Sequence, residues 1–402
     1  MLFVLAVRNI IRNVRRSTVT MLTAMVGAAA LFLFQGFNTG ILNQYRENAV
    51  HARYGYGQIN TKGYRDKVLE KPWKNWIQNS SGLLEEIKKL KGVSQVFPRV
   101  EFFSLLTNGS LTVSGRGVGI DGKEEESFFK TMNIVDGSAL GDAVDGIVLG
   151  AGLARSLAVK PGDTVTVLAN TVHGSLNGVD LTVKGIFHAG TRDIDDVIFQ
   201  MQIIQAQELL DTNDIETISL GLTSHDIWSE FQEDFIAKFP ELEATPFNVL
   251  DKVYYQHAVD WLGSQFEIIR LIILTVVVLG IFATASSAIL ERTQEIGMLR
   301  ANGESVKDIL LLLAYEGAFV ACCGGLMGLI LVATANVSVL ANGIPMPPSP
   351  GITRSFNVFV ELTSSGAFWA FILVAITATL GTVLAGLKVA RMPIAKALRH
   401  AA

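Results

Sequence analysis

Four windows without charge constrain this chain more than any other feature. Residues 17–45 form one, 29 residues between Arg16 and Arg46, and Leu271–Leu290 forms a second of 20. The third follows Asp308 and reaches Leu340 with Glu316 as its only interruption, and the fourth is Leu362–Leu387. A helix rising about 1.5 Å per residue needs about 20 apolar residues to cross a hydrocarbon core of roughly 30 Å. These windows meet that length, whereas an ordinary buried helix rarely runs so far without charge. The sequence therefore predicts an α-helical membrane protein with four transmembrane helices, over residues 17–45, 261–290, 309–340 and 362–387. Only 17% of the residues are charged and 50% are hydrophobic, against about 25% charged in soluble domains. That balance disfavours a soluble enzyme, a disordered chain and a nucleic-acid binder. Arg8, Arg12, Arg15 and Arg16 ahead of the first window, and Ala28-Ala29-Ala30 within it, fit a secretory signal in part. The apolar run continues through Leu31-Phe32-Leu33-Phe34, beyond the ~7–15 residues of a signal core, so an uncleaved anchor is expected.

Charge also sets the expected topology. Residues 46–260 carry 20 Lys+Arg and 30 Asp+Glu, whereas the rest of the chain carries 13 and 7. The basic residues outside 46–260 gather in residues 1–16 (four Arg, no acid), in the 291–308 segment (Arg292, Arg300, Lys307) and in the 388–402 tail (Lys388, Arg391, Lys396, Arg399). With four spans all three fall on one side, and the positive-inside bias makes that side cytoplasmic. The acidic 46–260 segment and the 341–361 loop then face the other side.

Residues 46–260 read as a folded α+β domain inserted between the first and second spans. Short β-branched or alternating runs (Val93–Val100, Ser110–Ile120, Thr164–Leu168, Leu181–Phe187, Ile215–Thr223) are punctuated by Asn108-Gly109, Asp121-Gly122 and Pro161-Gly162-Asp163. Glu85–Leu90, Val148–Val159, Met201–Asp211 and Ser224–Phe239 read as helices, and two subdomains are expected.

Candidate chemistry is sparse. Cys322 and Cys323 are adjacent in an apolar run and read as small packing residues, with no Cys/His spacing for a metal. Gly117 to Lys123 has the spacing of a phosphate loop, but Glu124 stands where Ser or Thr must hold Mg²⁺, so a surface turn is expected. Gly115, Gly117 and Gly119 are not expected to form a dinucleotide loop, because no helix is expected after them. Asp193, Asp195 and Asp196 lack the Gly and terminal Glu of a calcium loop and read as a solvated turn. The histidines His51, His173, His188, His225 and His257 are scattered. Glu316 is the one acid within a span, a costly placement that calls for a partner on a neighbouring helix or a position near the interface.

The most informative segment is Glu291–Asp308. Glu291, Glu295 and Leu299 share a helical face with Arg292, and Ile296 with Met298 and Leu299 offers apolar contact. Gly303 can stop that helix and Ser305 can cap the next. A short amphipathic helix between two spans suits a docking role, passing force from a cytoplasmic partner to both.

Glu291-Arg292 with Glu295-Ile296-Gly297, Leu299-Arg300-Ala301 and Gly303 resembles the coupling-helix signature of the FtsX/MacB-type ABC transporter permeases. Residues 6–18, with Arg8-Asn9, Arg12-Asn13 and Arg15-Arg16, are similar to that family's leading amphipathic helix, and Ala390-Arg391 through Pro393 to Ala397-Leu398-Arg399 to its C-terminal signature. Val148-Leu149-Gly150, Ala154–Leu157, Pro161-Gly162-Asp163 and Val183–Ile186 resemble parts of its extracytoplasmic domain.

The resemblance implies a non-catalytic permease in a bacterial inner membrane, with both termini cytoplasmic. Two copies of a separate ATPase, carrying ATP and Mg, would dock on Glu291, Arg292, Glu295, Ile296, Gly297, Leu299, Arg300 and Gly303. No cofactor is expected on this chain, which has no Walker motif. Its layout looks closest to the lipoprotein-releasing permeases, so the implied substrate is a lipoprotein or another amphiphile, passed on to a periplasmic acceptor. A second permease, self or paralogue, would complete the pair. Leu31, Phe32, Phe34, Phe37, Ile268, Ile269 and Ile272 are the expected amphiphile contacts, at matching depths of two spans. The alternatives are a regulator of a peptidoglycan hydrolase and a macrolide-type efflux permease.

Overall fold

The computed structural model describes residues 6, 8–10, 12, 14–67, 72–78, 80–129, 133–252, 257–346 and 356–398. Residues 347–355 of the 341–361 loop and Arg399 of the C-terminal signature lie outside them, as do Val7, Ile11 and Asn13. The chain divides into two compact units, one built on Tyr45–Ala258 and the other on Met1–Gln44, Val259–Met346 and Asn357–Ala402.

The inserted domain is α+β. Its strands are β1 (Gly57–Thr61), β2 (Val93–Thr107), β3 (Thr112–Ile120), β4 (Asn133–Gly137), β5 (Gly146–Gly150), β6 (Thr164–Asn170), β7 (Leu176–His188), β8 (Ile198–Gln202), β9 (Thr217–Leu222) and β10 (Leu242–Pro246). The long β2 serves two sheets. Val93–Arg99 pairs with β9 in the order β10-β1-β9-β2, and Val100–Thr107 pairs with β3. From there the pairing runs β2-β3-β8-β5-β7-β6 and returns to β2, a closed ring with β4 added at β7. Closure leaves the ring without a free edge. The second half of β2 alternates as a half-buried strand should, with Val100, Phe102, Ser104 and Leu106 inward and Phe103 81% exposed.

Several element boundaries differ from the sequence reading. Val148–Gly150 belongs to β5, and the helix is only Ala151–Leu157; Met201 and Gln202 end β8 before the helix Ile203–Leu210. Gly146–Gly150 is buried on both faces, so it lacks the alternation that marks a half-exposed strand. A helix, Gly122–Phe128, does open after the glycine-rich run, with Asp121 accepting from the Glu124 N–H. Yet Gly115, Gly117 and Gly119 lie within β3, where Gly117 leaves room for the rings of Phe102 and Phe199. Asp195 is buried rather than solvated, receiving the Ala189 N–H at 2.7 Å and lying 2.6 Å from His188 Nδ1.

Four helices are long and apolar enough to cross a membrane: Val14–Ala49, His257–Leu290, Val306–Ser338 and Ser364–Ala390. Their core is built from small and branched residues, including Ala24, Ala28, Leu31, Phe32, Ala321, Val374 and Ala378. Gly324 and Gly328 of the third span lie against the backbone of the first, so that a Cβ on Gly324 would sit 2.5 Å from the Met21 carbonyl oxygen. Such close approach is how membrane helices gain packing energy where lipid removes the hydrophobic drive. The second span is the least enclosed, with only 11% of its apolar window buried. Between the third and fourth spans, Ile344–Met346 pairs with Phe356–Val358. The chain then straps the first span: Glu361 N–H donates to Gly36 O at 3.0 Å, and Asn43 donates to the Glu361 carboxylate.

Candidate functional site

The segment between the second and third spans forms the helix Thr293–Ala301. Asn302 and a left-handed Gly303 (φ +98°) turn the chain, and Ser305 with Asp308 makes a reciprocal capping box at the start of the third span. The inward face of the helix is occupied. Ile296 joins Ile289, Ile309, Leu313 and Val389 in a small apolar cluster. Gly297 backs onto the C-terminal helix Ile394–Leu398, where a Cβ would come within 2.9 Å of the Ala397 Cβ. Arg300 Nη1 donates to the carbonyls of Ala390 (2.9 Å) and Met392 (3.0 Å), placing a cation at the end of the fourth span.

A chain of charges ties this helix to two further elements. Arg292 Nη1 donates to Glu316 Oε2 at 2.5 Å and its Nε to Glu295 Oε2 at 3.0 Å. Asn9 Nδ2 donates to the second oxygen of Glu316 at 2.8 Å, and Arg12 Nη2 to the second oxygen of Glu295 at 3.2 Å. The Arg292 and Glu316 side chains are 10% and 11% exposed. Glu316 thus has its partner, and the cost of an acid within a span is offset by an ion pair and an amide.

The structure places the sequence-predicted docking residues unequally. Arg292, Glu295, Ile296, Gly297 and Arg300 are engaged with the bundle, and Leu299 is half-buried. Glu291 and Gly303 are exposed, as are Gln294, Met298, Ala301 and Asn302. The outward face is therefore centred on Met298, 52% exposed, which the signature does not single out. The predicted amphiphile contacts also separate. Leu31 and Phe32 turn into the bundle core and cannot serve as an outer surface, a correction that follows from the inward stripe they share with Ala24 and Ala28. Phe34 and Phe37 pack edge-on against Phe266 of the second span, at 6.2 and 6.5 Å between ring centroids. Ile268, Ile269 and Ile272 are exposed. The roles of Asn9 and Arg12 had no local signal, since their partners lie 307 and 283 residues away.

The inserted domain holds a second set of buried charges. Arg99 forks onto Glu125 at 2.6 and 2.7 Å and stacks on the Phe129 ring, 4.1 Å from its centroid. Glu101 is gripped by Arg53 and Arg116. Burial works against its charge, but the three arginines outweigh it and hold the carboxyl below the usual range. Glu216 accepts from the Tyr64 hydroxyl (2.5 Å) and the Glu101 N–H (2.6 Å); burial, then the Glu101 charge, push its carboxyl up to about 7. Among the described residues no group of three or more His, Cys, Asp or Glu is disposed to hold a metal ion.

Residues 17–237 match the MacB-like periplasmic core domain and residues 268–394 the FtsX-like permease C-terminal domain. The lipoprotein-releasing system transmembrane protein LolC of Neisseria meningitidis is 26% identical over 77% of this chain and 72% of its own. The corresponding LolE of Haemophilus influenzae is 23% identical over 75% and 74%. Among solved structures, the periplasmic region of MacB from Actinobacillus actinomycetemcomitans aligns with 49% of this chain and 90% of its own, at 13% identity and a TM-score of 0.37. With one family covering more than half of the chain and the other most of the remaining spans, this protein belongs to the FtsX/MacB-type ABC transporter permeases.

Proposed function

We propose that this chain is the non-catalytic permease half of a machine that extracts a lipoprotein or another amphiphile from the outer leaflet of a bacterial inner membrane. Two copies of a separate cytoplasmic ATPase supply the ATP and Mg chemistry, and a second permease, self or paralogue, completes the bundle. The helix Thr293–Ala301 lies on the cytoplasmic side with both termini, and the inserted domain works in the periplasm. The observation that carries this reading is the two-faced connecting helix. Its inner face is committed to three neighbouring elements, while Met298, Ala301 and Asn302 are exposed on the other side, where a partner can bind. Extraction needs an external energy source, because each buried CH₂ of an acyl chain holds its protein in the bilayer by about 0.8 kcal/mol. The exposed Ile268, Ile269 and Ile272 of the second span offer apolar cover.

Gentle detergent pull-down of the full chain, with mass spectrometry of bound proteins and lipids, tests this. An ATPase and an acylated protein are expected, and Met298→Asp or Gly303→Trp should lose the ATPase without affecting insertion. Unchanged ATPase capture and unchanged release from reconstituted vesicles in both variants would remove the docking assignment. Activation of a wall hydrolase with no lipid bound would move the chain to the regulatory branch of the family.

A further inference from the structure

Both oxygens of Glu316 are occupied, one by Arg292 and one by Asn9. Arg292 in turn bridges two acids, and the second acid reaches back to Arg12. Charges alternate along this path, so two guanidinium groups and two carboxylates neutralise each other. Covalent connection alone would leave the connecting helix hinged on the third span at Gly303, a left-handed turn with open space around it. A cavity of about 60 Å³ borders Asn9, Ser17, Thr20, Arg292, Glu316 and Thr382. It has room for a few waters beside the pair.

Resting on the function proposed above, we propose that Glu316 is a positioning residue, the pivot of a latch running Asn9, Glu316, Arg292, Glu295, Arg12. The latch makes the connecting helix, the leading helical residues and the third span move as one body. A stroke delivered to residues 293–301 then reaches the first span through its leading end, where Ser17 is also tied to the Ile10 carbonyl. Glu316 touches no substrate; it acts through Arg292 and Asn9.

Two experiments test this. Hydrogen–deuterium exchange on the full chain in detergent compares wild type with Glu316→Gln, which keeps the shape and can still accept from Asn9 but offers Arg292 no charge. Exchange should rise at least about tenfold in residues 8–12 and 293–301 together, since removing one charge of a buried pair is strongly destabilising, with β1–β10 unchanged. Arg292→Lys retains the charge opposite Glu316 and should fall between the two. A rise confined to the third span, or to 293–301 alone, overturns the latch. Vesicles carrying the chain with its ATPase and a fluorescent triacylated lipopeptide supply the second readout. Glu316→Gln should keep ATP hydrolysis within about twofold while release per ATP falls about tenfold. Equal loss of both overturns the positioning role. If wild type releases nothing, the proposed substrate falls, and the exchange experiment decides the latch by itself.

Discussion

Glu216→Gln should make the inserted domain more stable above neutral pH and flatten its pH dependence. The Glu216 carboxyl sits at about 7 in the folded domain, against about 4.3 for an unperturbed Glu. The folded state therefore binds a proton more tightly than the unfolded one, and stability must fall as pH rises through the folded value. Between pH 5 and 8 the loss integrates to about 2.5 kcal/mol at 1.36 kcal/mol per unit, or roughly 5–10 °C in Tm for a domain of this size. Glu101 does not share the titration, because Arg53 and Arg116 hold it charged across that window. Gln at 216 can still accept the Glu101 N–H through its carbonyl and donate to the Tyr64 oxygen, so the contacts survive while the charge does not. Burial also raises Glu125 and lowers His225, but both groups are common to wild type and variant. The difference between the two proteins therefore isolates Glu216. Thermal unfolding of the full chain, followed by fluorescence of Trp76 and Trp228 in the domain core, measures it. Parallel pH profiles for the two proteins would refute the reasoning.

Arg99→Ala should cost about 3–5 kcal/mol of domain stability by stranding the buried Glu125 charge, and Arg99→Met with Glu125→Leu should recover most of it in the same unfolding assay. Gly328→Val should push the third span off the first, because its Cβ would meet the Met25 carbonyl; a loss of about 1–3 kcal/mol is expected, read as a lower Tm in detergent. Gly40→Val should displace the strap after Phe356–Val358, whose Phe359 carbonyl lies where that Cβ would go. The readout is faster proteolysis of the 341–363 connection, and an unchanged rate would mean the strap is not seated on the first span.

The four spans were legible because length without charge is a local property that lipid imposes directly on sequence. The connecting helix, its Gly303 stop and its Ser305 cap were legible for a similar reason, since capping chemistry acts over three or four residues. Strand β5 is absorbed into a helix because burial on both faces erases the period-two pattern, and β8 because its five residues run straight into the helix Ile203–Leu210 with no Gly or Pro break. The residues expected to dock a partner illustrate a different limit. A signature records that positions are constrained, yet most of those positions face the bundle: Gly297 makes room for Ala397, and Arg300 closes the fourth span. Which face of the helix is free depends on Glu316, Asn9 and Arg12, all remote in sequence.

The first span is gripped at three levels, and the second at few. At one end its leading residues enter the charge relay through Asn9 and Arg12; along its middle Met21 to Ala28 bears on Gly324 and Gly328; at the other end Gly36, Gly40 and Asn43 meet the strap. Glycine contacts resist separation of the helices, and the polar contacts at the ends fix register, so the first span follows the third without slipping. The second span meets the first through Phe266 and through Val277, which lies against Gly27, but it is the least enclosed of the four and presents Leu271, Val276 and Leu279 outward. Both spans feed the inserted domain through adjacent strands, because β1 follows the first and β10 precedes the second, and they pair antiparallel with Gly57 opposite Pro246. Within that domain β1 also pairs with β9, and β9 with β2, the strand that both sheets share, so backbone hydrogen bonds run without a break from that strand pair to the closed ring.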